Sequence, residues 1–160
     1  MKRKIITGSD NKILRTKSVE IKKTEIGGKK LSKLIKDMKD TFDSGDLGLA
    51  APQVGDNVRM ALARLNPSTE NEVTIVMINP VITFKGEDKE WAEEGCLSLP
   101  DIWLDVERFK KLTVKYLNQK GQEIVLNLEK LNARIVQHEV DHLDAILICD
   151  KGVPILKKEK

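Results

Sequence analysis

Histidine is almost missing from this chain: two occur in 160 residues, at positions 138 and 142. Cysteine is equally scarce, with only Cys96 and Cys149. At most one disulfide could form between them. The lysine-rich composition and the lack of a signal-peptide pattern argue against an oxidising compartment. Cys149 is therefore expected as a small buried hydrophobe. No apolar run approaches the ~20 residues that a membrane-spanning helix needs. Aromatic residues make up 4% of the chain and the net charge is only +3. No basic stripe interleaved with aromatics is visible, which argues against nucleic-acid binding as the main activity. There is no internal repeat, low-complexity segment or linker. The length suits one domain with a real core, spanning residues 1–160.

Both histidines fall in one motif, Gln137-His138-Glu139-Val140-Asp141-His142-Leu143. On a helix, His138 and His142 stand one turn apart on the same face, so both imidazoles can point at one metal ion. Glu139 is placed to reach a water at that metal without being a ligand. A bare HExxH also suits a polar, solvated helix face. The surrounding periodicity favours a buried one. Leu128, Leu131, Ile135, His138 and His142 form one stripe, and Val136, Val140 and Leu143 an adjacent one. Buried histidines need partners, because an unpaired polar group costs about 1–3 kcal/mol. A metal would serve both at once.

Cys96, in Glu94-Gly95-Cys96-Leu97-Ser98, is the candidate third ligand. Three protein ligands leave one coordination position open, as in catalytic sites. A further segment, Gly48-Leu49-Ala50-Ala51-Pro52-Gln53-Val54-Gly55, has small residues that permit close approach of backbone. These three stretches, in this order, resemble the three signature motifs of the peptide deformylase family. Ile13-Leu14-Arg15 resembles the family's N-terminal segment, so the likeness spans nearly the whole chain. Two positions depart from the pattern. Asp46 and Ala145 stand where the family usually has glycine. If position 46 needs positive φ, Asp tolerates it better than most residues. Ala145 is expected to shift the end of the helix.

The resemblance implies a metal-dependent hydrolase that removes the N-formyl group from the N-terminal methionine of newly made proteins and releases formate. Cys96, His138 and His142 would hold one divalent metal. Fe2+ is implied in the cell, with Zn2+, Ni2+ or Co2+ as substitutes. Glu139 would move protons, while the Gln53 side chain and the Leu97 backbone N–H would donate to the developing oxyanion. Gly48, Glu94 and Gly95 would run along the substrate backbone. Leu131, Arg134 and Ile135 would line the methionine pocket, with Arg134 lending its aliphatic stem. Arg108 would pair with Glu94 and orient the loop that bears Cys96. Trp103 falls near the substrate entrance, and Asp141 would support the helix or a ligand histidine. The partners implied are N-formyl-methionyl nascent peptides, with no nucleic-acid function and no membrane. Lys157, Lys158 and Lys160 offer at most a weak contact with a ribosomal surface. The implied location is the cytoplasm of a bacterium or of a phage-infected cell, an organelle being the other option.

The expected fold is α+β, with antiparallel strands around a central helix that carries the HExxH motif. Leu31, Leu34, Ile35, Met38 and Phe42 mark an amphipathic helix. Strands are expected over 58–65, 73–78 and 81–84, the last two separated by Asn79-Pro80. A hairpin is expected over 112–128 around Asn118-Gln119-Lys120-Gly121. Pro154 should end regular structure. Two rival functions remain at this stage. An HExxH zinc peptidase would usually take a downstream His or Glu as third ligand, and no later His exists. A non-catalytic family member that binds nascent peptides would be signalled by a lost ligand or a lost Glu139, and none is lost.

Overall fold

A computed structural model describes residues 1–155. After helix α1 (Lys29–Thr41) come strands β1 (Gly48–Ala50), β2 (Met60–Leu65) and β3 (Val73–Lys85). Next are β4 (Lys89–Cys96), β5 (Leu99–Phe109), β6 (Lys111–Leu117) and β7 (Glu123–Glu129). Helix α2 (Lys130–Leu143), the one-turn helix α3 (Ile148–Lys151) and β8 (Val153–Pro154) follow. The strands form two sheets, ordered β1-β2-β3-β6-β7 and β4-β5-β8, and every pairing within them is antiparallel. The chain is thus α+β.

The composition of β2 explains how the layers stack. All six of its residues are buried. Ala61, Ala63 and Leu65 cluster with Ala133, Ile135, Val136, Val140 and Leu143 of α2. Met60 and Leu62 cluster with Leu31, Leu34, Ile35 and Met38 of α1. Alternate residues of a strand face opposite sides, so β2 packs one helix on each face. Alanine at 50, 61 and 63 leaves room for α2 to lie close to the sheet, which brings its motif next to β1. A third cluster of Leu14, Leu99, Val106, Leu147 and Ile148 joins the small sheet to the N-terminal segment and α3.

Helix α2 follows β7 without a loop, because Lys130 turns the chain at φ +52°. It ends in a Schellman arrangement. The Ile146 N–H donates to Asp141 O at 2.9 Å and the Ala145 N–H to His142 O at 3.2 Å, with Ala145 at φ +61°. Ala145 therefore adopts the left-handed conformation that glycine would take, and the helix still closes there. Asp46 is not among the residues with positive φ, so its departure from glycine needs no such conformation.

Three other expectations are corrected. Val73–Lys85 is one strand, not two: Asn79 at φ +50° forms a bulge between Ile78 and Val81. The bulge absorbs Pro80, which has no N–H for a ladder. The Asn79 side chain also exchanges two hydrogen bonds with the Ile21 backbone. Pro154 does not end regular structure but sits in β8, paired with Leu104 at a sheet edge where a missing N–H is tolerated. Cys149 is exposed, because it lies on the outer side of the single turn α3. Both cysteines are free. The hairpin over 111–129 forms as expected around Asn118–Gln122. Among the described residues, no helix is long and apolar enough to cross a membrane. The lysines at 157, 158 and 160, on which the ribosome expectation rests, lie outside the described residues.

Candidate metal centre and cavity

The HExxH residues occupy the last turns of α2, with Glu139 and His142 buried. The β4–β5 hairpin delivers Cys96 to them. One ligand-type atom each from Cys96, His138 and His142 lies within 4.8 Å of the others. Cys96 Sγ is 3.3 Å from His142 Nε2. Two ligands about 2.0–2.3 Å from a shared ion have a separation of that order. His138 donates from Nδ1 to Glu94 Oε2 at 2.9 Å, which leaves Nε2 for the cluster. The donor set of one sulfur and two imidazole nitrogens suits zinc and its divalent neighbours.

Burial and neighbouring groups push the two histidines in opposite directions. Burial opposes an imidazolium at His138, yet hydrogen bonds to Cys96 and Glu94 prevail and raise its pKa to about 10. Burial, and then the charges of His138 and Arg108, lower the pKa of His142 and keep it neutral. Burial likewise raises Glu139 to about 7 against the pull of His138 and Arg108. Glu139 Oε2 is buried without a hydrogen-bond partner among the described residues.

Glu94 is the hub behind the cluster. Its Oε1 accepts from Arg108 Nε and Arg134 Nη1, both at 2.8 Å. Its Oε2 accepts from Arg108 Nη2 and His138 Nδ1, both at 2.9 Å. Burial alone would raise its pKa, but the bonds from Arg108 and His138 hold it well below the usual carboxylate range. Arg108 also bonds Asp141, which accepts from Lys151 as well. Of the two roles expected for Asp141, the bond to a ligand histidine is corrected: its partners are Arg108 and Lys151, which tie α2 to β5 and α3, while Glu94 holds the histidine.

The cluster opens into a cavity of about 490 Å³. Gly48, Gln53, Glu94, Gly95, Cys96, Leu97, Leu131, Arg134, Ile135, His138 and Glu139 all line it. His142 lies behind this wall, and Arg108 lines a separate cavity. Arg134 also donates to Val106 O and Glu90 O, so its head group is part of the polar scaffold as well as the wall. Gln53 is fixed at both ends of its amide. Oε1 accepts from the Ala50 N–H at 2.8 Å, and Nε2 donates to Ser98 Oγ at 3.1 Å and toward Cys96 Sγ at 3.8 Å. Ser98, fully buried, was not singled out from the sequence; its place two residues after Cys96 was the available signal. Trp103 pairs across the hairpin with Gly95, where a β-carbon would lie 2.9 Å from the indole ring.

The polypeptide deformylase family model matches residues 2–158. The peptide deformylase of Pseudothermotoga lettingae is 41% identical over 139 residues, 86% of this chain and 76% of that protein. That of Thermodesulfovibrio yellowstonii is 43% identical over 93% of this chain and 88% of its own length. A Met-Ala-Ser-bound class I type b peptide deformylase from Acinetobacter baumannii superposes with a TM-score of 0.85 at 32% identity, over 94% of this chain and 98% of that one. The chain belongs to the polypeptide deformylase family, whose members remove N-formyl groups from nascent peptides.

Proposed function

We propose that this chain acts as one catalytic domain that removes the formyl group from N-formyl-methionyl peptides in the cytoplasm of a bacterium or phage-infected cell. One observation carries the reading: Cys96, His138 and His142 converge within 4.8 Å at a cavity whose wall includes Glu139. Cys96, His138 and His142 would hold one divalent metal, Fe2+ in the cell, with Zn2+, Ni2+ or Co2+ as substitutes. Such an ion supplies Lewis acidity and makes water a nucleophile at neutral pH.

The chain's own residues do the rest. The methionine side chain enters the cavity between Leu131, Ile135 and the stem of Arg134. Gly48, Glu94 and Gly95 flank the peptide backbone. Glu139 takes a proton from the water that attacks the formyl carbon, and later returns a proton to the departing amine nitrogen. Gln53 Nε2 and the Leu97 N–H donate to the oxygen that gains negative charge. Donors held in place cost no reorganisation during the reaction, and losing one costs about 2.7–4 kcal/mol. The two anchors on the Gln53 amide support that role. Glu94 holds His138 in the tautomer with Nε2 free, and Arg108 holds Glu94. Formate and a peptide with a free amine leave.

Formate release from formyl-Met-Ala-Ser by anaerobically purified protein tests this, with Glu139→Gln alongside. The expected result is turnover in the wild type and its loss in the variant while metal stays bound. No turnover in metal-replete wild type would overturn the reading.

A further inference from the structure

On the far side of the Arg108–Asp141 pair lies a second cavity of about 300 Å³ that the proposed reaction does not use. Its inner wall is Arg108 and Asp141, and its mouth carries three lysines, Lys85, Lys89 and Lys151. Four cations thus face two carboxylates, Glu107 and Asp141. The pairing is uneven. Asp141 serves both Arg108 and Lys151. Glu107 stands 3.4 Å from Lys89. Among the described residues no carboxylate pairs with Lys85.

Lys85 and Lys89 also share a neighbour. Their ammonium groups lie 5.2 and 4.9 Å from the centroid of the same Phe109 ring. The ring attracts each cation, and an anion in the cavity would attract both. The lining also includes Ile82 and the half-exposed indole of Trp91, which stands two residues from Lys89 on the same face of β4 and pairs across the hairpin with Glu107. Cations and an indole ring therefore line the same cavity.

We propose that this cavity binds a small aromatic phosphate monoester of mononucleotide size. Its phosphate sits at Lys85, Lys89 and Lys151, and its ring lies against Trp91. Lys85, which no carboxylate pairs among the described residues, attracts the phosphate, whose charge is about −1.5 to −2 at neutral pH. The volume is at the small end of ligand pockets, about 300–1,000 Å³.

The test uses full-length Trp103→Phe protein, in which Trp91 is the sole indole. Adenosine 5′-monophosphate is titrated against Trp91 fluorescence, with adenosine and inorganic phosphate as the separate halves. The expected result is saturable binding with Kd below about 1 mM, and each half at least about tenfold weaker. Lys85→Gln combined with Lys89→Gln should weaken the monophosphate at least about tenfold, while Lys110→Gln, outside the cavity, changes it by less than about twofold. An unchanged melting temperature shows that the lysine variants fold. The proposal is overturned by no saturation up to about 10 mM, by equal binding to the Lys85/Lys89 variant, or by phosphate alone binding as well as the monophosphate.

Discussion

A β-carbon added to Gly48 would lie 2.0 Å from Glu139 Oε1 and 2.4 Å from its carboxyl carbon. Real atoms cannot approach so closely. Strand β1 is held in register by Ala63 and Leu62 of β2, and Glu139 is buried in α2, so the carboxylate must be displaced. Gly48→Ala should lower kcat/KM for formate release by about 10²-fold, the scale of a 1 Å misplacement. Bound metal should stay near wild-type content, because no ligand is touched. Formate kinetics with metal analysis on the same sample checks both halves; full activity would mean that Glu139 can move aside harmlessly.

Arg108 is the support whose loss should be felt at a distance. Its guanidinium is 3% exposed and binds Glu94 through two parallel hydrogen bonds. Arg108→Ala leaves Glu94 and Asp141 with fewer cations in a buried place. Breaking such a pair costs about 3–5 kcal/mol, read as a shift in urea unfolding. Glu94 is also the partner of His138, and losing that kind of support weakens metal affinity by about 10–100-fold. Chelator competition measures it. An unchanged affinity would show that Arg134 alone suffices to hold Glu94.

Ala145 closes helix α2 at φ +61°. A left-handed residue with a β-carbon costs about 1–2 kcal/mol, part of which glycine returns through its freer unfolded chain. Ala145→Gly should therefore raise stability by about 0.5–1 kcal/mol with formate release unchanged. Equilibrium urea unfolding decides it, and a destabilised variant would contradict the capping argument.

Asp37 should contribute to acid sensitivity beside Glu94. Its carboxylate is almost fully buried and accepts from Lys33, from the Met1 ammonium and from Arg3. The bond from Lys33, followed by that from Met1, holds its pKa well below the usual carboxylate range. A depressed folded pKa means that the stabilisation is complete above the unfolded value of about 4 and is lost as pH falls through the folded value. The stability gap between wild type and Asp37→Asn should be constant from neutral pH down to about 5 and shrink below about 4. Unfolding measured across that range tests it; a gap that persists at the lowest pH would assign the effect to shape rather than charge.

The motif segments were legible because their information is local. Two histidines four residues apart on a helix share a face whatever the rest of the chain does. The apolar spacing of α1 and the turn at Asn118–Gln122 are local in the same sense. The hairpin β4–β5 was not legible. Lys89–Cys96 is mixed in charge and mostly half-buried or exposed, so no alternation marks it as a strand. The Asn79–Pro80 pair misled for a related reason: it has the composition of a chain break, yet the bulge it forms is held open by Ile21, 58 residues away.

By itself the sequence determined which side chains were available for chemistry: one pair of histidines, one cysteine in a Glu-Gly-Cys-Leu-Ser context, and one acid beside the first histidine. It also determined the family, through three motifs in order. Only the tertiary structure decided how those groups meet. Cys96 and His142 are 46 residues apart and come within 3.3 Å because the register of a half-exposed hairpin places the cysteine over α2. The same fold gave Glu94 to His138 and Asp141 to Arg108 and Lys151. The physical reason is that periodicity reports the face on which a residue lies, whereas partners depend on long-range packing, here set by the alanines that let α2 settle against the sheet.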